Sequence, residues 1–266
     1  MRFSGKRILI TGANSSIGAA IVKQLAAEGA TLALHWYQNE ASLIALVESI
    51  AEHCPDPVLL YADLSKREDV LKMAEKTWSK LGGVDALINN AGLSQKKNFL
   101  DYTAEEVEAL TDINFKGTLY LTQSIAGKMV GERIEGSILT ITSINGLQPG
   151  IGHAVYGATK GAQETLMKGI ALELAPYNIR VNTVAPGAIQ SENNAPVWQD
   201  QVRLALVNEN IPMQRIGKPE EVASLICNLL SADSYMTGAC ITVDGGWLLK
   251  HGYEKLKDNR HDRSSE

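Results

Sequence analysis

The apolar positions of this chain fall into short runs, and the stretches between several of them carry helical spacing. Residues 7–10, 31–34, 58–61, 84–88, 138–142, 179–184 and 240–243 read as strands. Runs this short, bounded by glycine, proline or amide residues, fit strands buried on both faces. Residues 19–28 put Ile21, Val22 and Leu25 on one stripe and stop at Gly29, so they read as a helix. Residues 41–52, a stretch from about 104, residues 156–175 and residues 220–230 read as further helices. Strands alternating with helices predict an α/β fold, a doubly wound parallel sheet with helices on both faces. One domain over residues 1–250 is expected, followed by a charged, mobile tail at 251–266.

The first strand runs into Thr11-Gly12-Ala13-Asn14-Ser15-Ser16-Ile17-Gly18 and then into a helix. Strand, small-residue turn and helix make the Rossmann-type unit that seats a pyrophosphate. Free N–H groups at the helix start attract the anion, and small residues let it approach the backbone. The second strand ends in His35-Trp36-Tyr37-Gln38, where such folds read the adenosine ribose with an acid or an arginine. Neither is present. Asp63, at the end of the third strand, either caps the next helix or accepts from an adenine amine. Asn89-Asn90-Ala91-Gly92 follows the fourth strand, at the sheet edge where these folds hold ligand. Residues 191–201 are polar and irregular around Trp198, a candidate lid.

Ser143 closes the fifth strand, Tyr156 follows thirteen residues later, and Lys160 four after that. On a helix, Tyr156 and Lys160 share a face. An ammonium near a phenol favours the phenolate, and a hydroxyl beside it can hold a carbonyl or alkoxide oxygen. This is equipment for moving a proton to or from an alcohol oxygen. Tyr253 and Lys257 repeat the spacing, but in a charged tail with Cys240, not serine, thirteen residues upstream. That pair reads as solvated surface.

Bulk properties narrow the partners. The 266 residues are 45% hydrophobic, ample for a core, and the net charge is −5. With no dense basic run, neither nucleic acid nor an anionic membrane is an expected partner. Three scattered cysteines, no signal-like N-terminus and no bilayer-length apolar run make a reducing, cytoplasmic location the expectation.

Thr11-Gly12…Gly18, Asp63, Asn89-Asn90-Ala91-Gly92, Asn114, Ser143, Tyr156-x-x-x-Lys160, Pro186-Gly187 and Asp244-Gly245-Gly246 stand in one order. Together they resemble the short-chain dehydrogenase/reductase family over about residues 5–249. The resemblance implies that Tyr156 is the general acid/base and that Lys160 binds the nicotinamide ribose and lowers the tyrosine pKa. By the same resemblance Ser143 positions the substrate oxygen and Asn114 supports a proton-relay water. The cofactor would be lined by Gly12, Asn14, Ser15, Ser16, Ile17, Gly18, Trp36, Asn90, Ala91, Gly92, Tyr156, Lys160, Pro186 and Gly187. Asp63 and Leu64 would meet the adenine, and Ile189 and Ser191 the carboxamide. Ser16 stands where the family's turn has its middle glycine, which narrows the pyrophosphate space.

With no acid to repel a 2′-phosphate, and Ser15 or His35 as contacts for one, the cofactor is NADP or NAD, with NADP slightly favoured. Substrate contacts are expected from Ser143, Asn145, His153 and Tyr156. A rim containing Gln95, Lys96, Gln148, Gln190, Glu192, Asn193 and Asn194 suits a small sugar or polyol. Acyl-carrier ketoreductases of the family dock an acidic partner through an arginine where this chain has Leu172, so that substrate is the alternative. A nucleotide-binding regulator without turnover is the alternative of another class. Relatives form homotetramers or homodimers through the helix carrying Tyr156, and Leu166, Ile170, Leu172 and Leu174 allow the same here.

Overall fold

The computed structural model describes residues 1–231 and 234–250. Its strands are β1 (Arg7–Ile10), β2 (Thr31–Trp36), β3 (Val58–Tyr61), β4 (Ala86–Asn89), β5 (Gly136–Ile141), β6 (Ile179–Pro186) and β7 (Cys240–Val243). They form one sheet in the order β3-β2-β1-β4-β5-β6-β7, with every neighbouring pair parallel. The chain works outward from β1 to β3, then crosses back to lay β4 on the other side of β1. That reversal opens a crevice at the carboxyl ends of β1 and β4, where doubly wound sheets bind ligand.

The helices are α1 (Ser16–Ala27), α2 (Glu40–Ile50), α3 (Arg67–Leu81), α4 (Ala104–Leu110), α5 (Thr118–Gly131), α6 (Ala154–Leu174), α7 (Ala195–Trp198), α8 (Gln201–Asn208) and α9 (Pro219–Leu230). Alternate strand residues feed opposite faces. Ile8 and Ile10 of β1 pack with Ile21, Val22 and Leu25 of α1 and Val222 and Ile226 of α9. Leu9 goes the other way, to Val70 and Met73 of α3, Leu121 and Ile125 of α5 and Met167 of α6. Each fully buried Leu or Ile contributes roughly 1.5–3 kcal/mol over its exposed state, so both faces hold the sheet firmly.

Three expectations are revised. The helix expected after Asp63, for which the pattern gave no bounds, is α3; it opens at Arg67 with Lys66, not Asp63, at its N-cap, and Val70, Met73, Ala74, Thr77 and Trp78 form its buried stripe. The helix from Ala104 is broken. After α4 the backbone widens into a π-helical stretch, Thr111–Gly117, before α5. Residues 191–201 are less irregular than predicted, because α7 and the start of α8 occupy their second half. The expected tail at 251–266, with Tyr253 and Lys257, lies outside the described residues.

Candidate active site

The β1–α1 turn is held by hydrogen bonds that leave little freedom. Thr11 Oγ1 accepts from the backbone N–H groups of Asn90 and Ala91, each at 3.0 Å, tying the turn to the end of β4. Asn90 Nδ2 donates to the carbonyls of Thr11 and Gly12 at 2.9 Å and to Ser15 Oγ at 3.1 Å. Ser15 caps α1, accepting from Gly18 N–H at 3.2 Å. A Cβ at Gly18 would collide with the Gly12 carbonyl oxygen and come within 2.9 Å of Asn90 Nδ2. Only glycine lets the helix start this close to the strand. Asn14 does not point into the crevice unpaired, since its Nδ2 donates to Gln38 O, Asn39 O and Ser42 Oγ at 2.8–3.0 Å.

His35 corrects an expectation. It is 2% exposed, so it is no contact for a 2′-phosphate. Gly12 N–H donates to its Nδ1 at 3.1 Å, which requires the proton to sit on Nε2, facing Ala62 O at 3.0 Å. Burial pushes its pKa down and keeps it neutral. Trp36 packs edge-on to Tyr61, with ring centroids 5.1 Å apart, and Tyr37 stacks on Tyr61 at 5.8 Å. Asp63 accepts from Ser65 N–H and Oγ at 3.0 and 2.7 Å, and these bonds and Lys66 hold its carboxyl low against burial. It tightens the turn after β3, while Lys66 occupies the α3 N-cap without a side-chain bond. Leu64 is buried beside Gly117.

A cleft of about 260 Å³ runs along the carboxyl ends of β1, β4, β5 and β6. It gathers Ser15, Ser16, Ile17, Asn90, Gly92, Ser143, Tyr156, Lys160, Pro186, Gly187, Ile189 and Ser191, all singled out from sequence. Gly12, Asn14, Gly18, Trp36, Asp63, Leu64 and Ala91 do not line it. A larger cavity, about 880 Å³, lies at the opposite sheet edge between Arg2, Asp85, Ser137 and Arg180, away from the topological switch.

Tyr156 sits in the first turn of α6, and Lys160 follows one turn later with Nζ 6.0 Å from the phenol ring centroid. Lys160 is 4% exposed and donates to Ile141 O at 3.0 Å. Burial pushes its pKa down to about 8, opposed by Glu164. The phenol differs from expectation. Burial raises the Tyr156 pKa, and hydrogen bonds with Ser143 and Ser94 only partly offset the rise. A phenol with a raised pKa is protonated at neutral pH and poised to give a proton to a carbonyl oxygen. Ser94 was missed from sequence; its place just after the Asn-Asn-Ala-Gly turn was the available signal.

Asn114 is fully buried in the π-helical stretch, where widened pairing frees backbone groups. Its side chain clamps Leu93, accepting from the N–H at 2.7 Å and donating to the carbonyl at 2.9 Å, and donates to Thr159 Oγ1 at 3.0 Å. Its own backbone carbonyl accepts from Gln163 Nε2 at 2.5 Å. Gly92 lines the cleft where a Cβ would stand 3.2 Å from both Asn114 Oδ1 and Lys160 Nζ. That open cradle beside an ammonium, with the α1 N-terminus across the crevice, fits a dinucleotide with ribose hydroxyls near Lys160.

At the mouth, Asn145 N–H donates to Ser143 Oγ at 3.1 Å, and its Oδ1 accepts from Gly150 N–H at 3.0 Å. The His153 ring meets Tyr156 edge-on at 5.9 Å. Gln95 is engaged elsewhere, because Glu106 accepts from both Gln95 and Lys97 at 2.7–2.9 Å. Trp198 Nε1 donates to Ser191 O at 2.9 Å, pinning α7 to the strand-six loop.

A family model described as enoyl-(acyl carrier protein) reductase matches residues 12–248. The chain is 38% identical to 3-oxoacyl-(acyl-carrier-protein) reductase FabG of Thermotoga maritima, over 94% of this chain and 100% of that one. It is 34% identical to glucose 1-dehydrogenase of Gluconobacter oxydans, over 95% and 96%. A short chain dehydrogenase from Burkholderia cenocepacia in complex with NADP superposes with a TM-score of 0.85 at 29% identity, covering 93% of this chain and 100% of that one. The chain therefore belongs to the short-chain dehydrogenase/reductase family, nicotinamide-dependent oxidoreductases of alcohol and carbonyl groups.

Proposed function

We propose that the enzyme interconverts an alcohol and a carbonyl on a small polyhydroxy substrate, a sugar or polyol, with Tyr156 as general acid/base. The observation that carries this reading is the hydroxyl-rich surround of the phenol. Ser143 and Ser94 bond it, and Asn145 and His153 stand around it. Such a mouth rewards a substrate with several hydroxyls, because each unpaired polar group left against an apolar chain costs about 1–3 kcal/mol. When bound, the nicotinamide cofactor supplies or accepts the hydride. The chain's own residues do the rest. Ser143 holds the substrate oxygen, Tyr156 passes the proton, Lys160 holds the ribose and the charge beside the phenol, and Asn114 fixes the loop carrying Gly92 and Leu93.

NADP is favoured over NAD, supported by the missing acid at the end of β2 and by the NADP held by the Burkholderia cenocepacia relative. The three free cysteines support a reducing cytoplasm, and no helix among the described residues is long and apolar enough to cross a membrane. Leu172, 80% exposed on α6, supports a homotetramer or homodimer built through that helix. The second reading is a 3-oxoacyl reductase, favoured by the 38% identity to FabG. Against it stand the net charge of −5 and Leu172 in place of a docking arginine. The test is steady-state turnover at the nicotinamide absorbance band with sugars, polyols and 3-oxoacyl thioesters. Turnover of a sugar or polyol supports the reading; turnover of the thioesters alone refutes it.

A further inference from the structure

Glu164 lies one helical turn past Lys160 on the same face of α6 and is 4% exposed. No role in substrate or cofactor binding accounts for a carboxyl at this depth. Its surroundings are specific. Thr142 Oγ1 donates to Oε1, and Thr183 Oγ1 donates to Oε2 at 2.6 Å. Each threonine hydroxyl also lies near a carbonyl, Val184 O at 3.1 Å and Ala239 O at 3.4 Å. Those carbonyls already accept backbone bonds from Thr142 N–H at 2.8 Å and Thr183 N–H at 2.9 Å. Glu164 is the nearer acceptor for both hydroxyls, and two short O–H donors are the solvation an ionised carboxylate needs.

A buried anion is stable only beside a cation. Lys160 is that cation, fully enclosed and bonded to Ile141 O, the residue immediately before Thr142. Consecutive residues at the end of β5 thus seat the ammonium and the carboxylate. The other titratable groups facing Glu164 are Lys168 on α6 and Cys240 on β7; Tyr156 faces Lys160 from the far side.

We propose that Glu164 is a positioning residue for the reaction, its buried carboxylate keeping the Lys160 ammonium charged while that lysine is sealed from water. This rests on the roles given above to Lys160 and Tyr156. Desolvation alone drives a buried lysine towards the neutral form. A neutral Lys160 would leave the phenol without its neighbouring positive charge and would weaken its grip on a ribose. Glu164 supplies the opposing field from below, where it obstructs neither ligand. The two side chains share one helix face, and at an effective dielectric near 20 a charge about 10 Å away still changes proton affinity by about tenfold.

The test uses the full chain, free of substrate, with lysine labelled by carbon-13 at Cε. The Lys160 resonance, assigned by its loss in Lys160→Arg, is followed through the neutral and alkaline range. In Glu164→Gln its midpoint is expected to fall by at least about one pH unit, a tenfold loss of proton affinity. The alkaline limb of NADP and NAD binding, read by protein fluorescence, moves with it. Glu164→Asp restores at least half the shift. An unchanged Lys160 midpoint in a folded Glu164→Gln, even with a lowered melting temperature, overturns the proposal. If Glu164→Gln does not fold, the carbon-13 signal of the Glu164 carboxyl in the wild-type chain decides. A carboxylate at neutral pH supports the proposal, and a neutral acid overturns it. Because the titration needs no substrate, an inactive sugar panel leaves it standing; a fully active Tyr156→Phe would instead remove the roles it rests on.

Discussion

Thr11→Val isolates what ties the cofactor turn to the sheet. Thr11 is 2% exposed, and its hydroxyl oxygen is the acceptor for two backbone donors, Asn90 N–H and Ala91 N–H. Valine has nearly the same shape, so packing is preserved while both donors lose their partner. A buried donor left unpaired costs about 1–3 kcal/mol. Asn90 and Ala91 are partly exposed, so water recovers some of this, and the sum comes to about 2–4 kcal/mol. Thr11→Ser keeps the oxygen and loses one methyl, about 0.5–1.5 kcal/mol. Urea denaturation of the three proteins gives the comparison, read as a shift in midpoint at constant slope. Dinucleotide binding should weaken in Thr11→Val and not in Thr11→Ser, because Asn90 holds the Thr11 and Gly12 carbonyls and the Ser15 hydroxyl. A Thr11→Val that loses less stability than Thr11→Ser would refute the reasoning.

Gly18→Ala is expected to cost about 1–3 kcal/mol, because the added methyl meets the backbone oxygen of Gly12 rather than a movable side chain. It should also weaken dinucleotide binding at least about tenfold by fluorescence titration. His35 gives an acid-side dependence. Its folded pKa lies below 6.5, so the unfolded chain takes up a proton that the folded chain refuses. Stability is therefore full above 6.5 and falls as pH drops below it, at up to about 1.4 kcal/mol per unit. Denaturation midpoints across that range should show the slope in wild type and lose this component in His35→Gln. Lys160 acts with the same sign in the alkaline range. Its folded pKa of about 8 lies below the ordinary 10.5, so folding becomes easier as pH rises between those values, and Lys160→Met should flatten that limb.

The sheet was legible because its central strands are buried on both faces and carry runs of Ile, Leu, Val and Ala, a pattern that tertiary contacts do not override. The chemistry around Tyr156 was legible because it is built from two local spacings, a helical turn and a strand end. What escaped was non-local. The Tyr156 phenol was expected to be lowered by Lys160, but burial by the surrounding loops raises it, and burial cannot be read from spacing. Ser94 reaches that phenol from a loop some sixty residues earlier in the chain. His35 was expected to meet a 2′-phosphate from the end of its strand, yet the residue after β3 and the glycine turn close over it and use both its nitrogens. The π-helical widening at Thr111–Gly117 left no mark in the hydrophobic pattern, since one extra residue per turn shifts that pattern only slightly. The bounds of helix α3 were not legible because its stripe is diluted by Arg67, Glu68, Asp69, Lys72, Glu75, Lys76 and Lys80.

The central claim is that the Tyr156 hydroxyl carries the proton. Tyr156→Phe removes one oxygen and leaves the ring against His153 and Lys160 beneath it. Turnover of the best sugar or polyol, followed by nicotinamide absorbance, is expected to fall by at least about a hundredfold, the usual worth of a positioned acid/base. NADP or NAD affinity should stay within about threefold of wild type, below 1 kcal/mol. Turnover within about tenfold of wild type, with cofactor affinity unchanged, would contradict the account and place the proton transfer on another group.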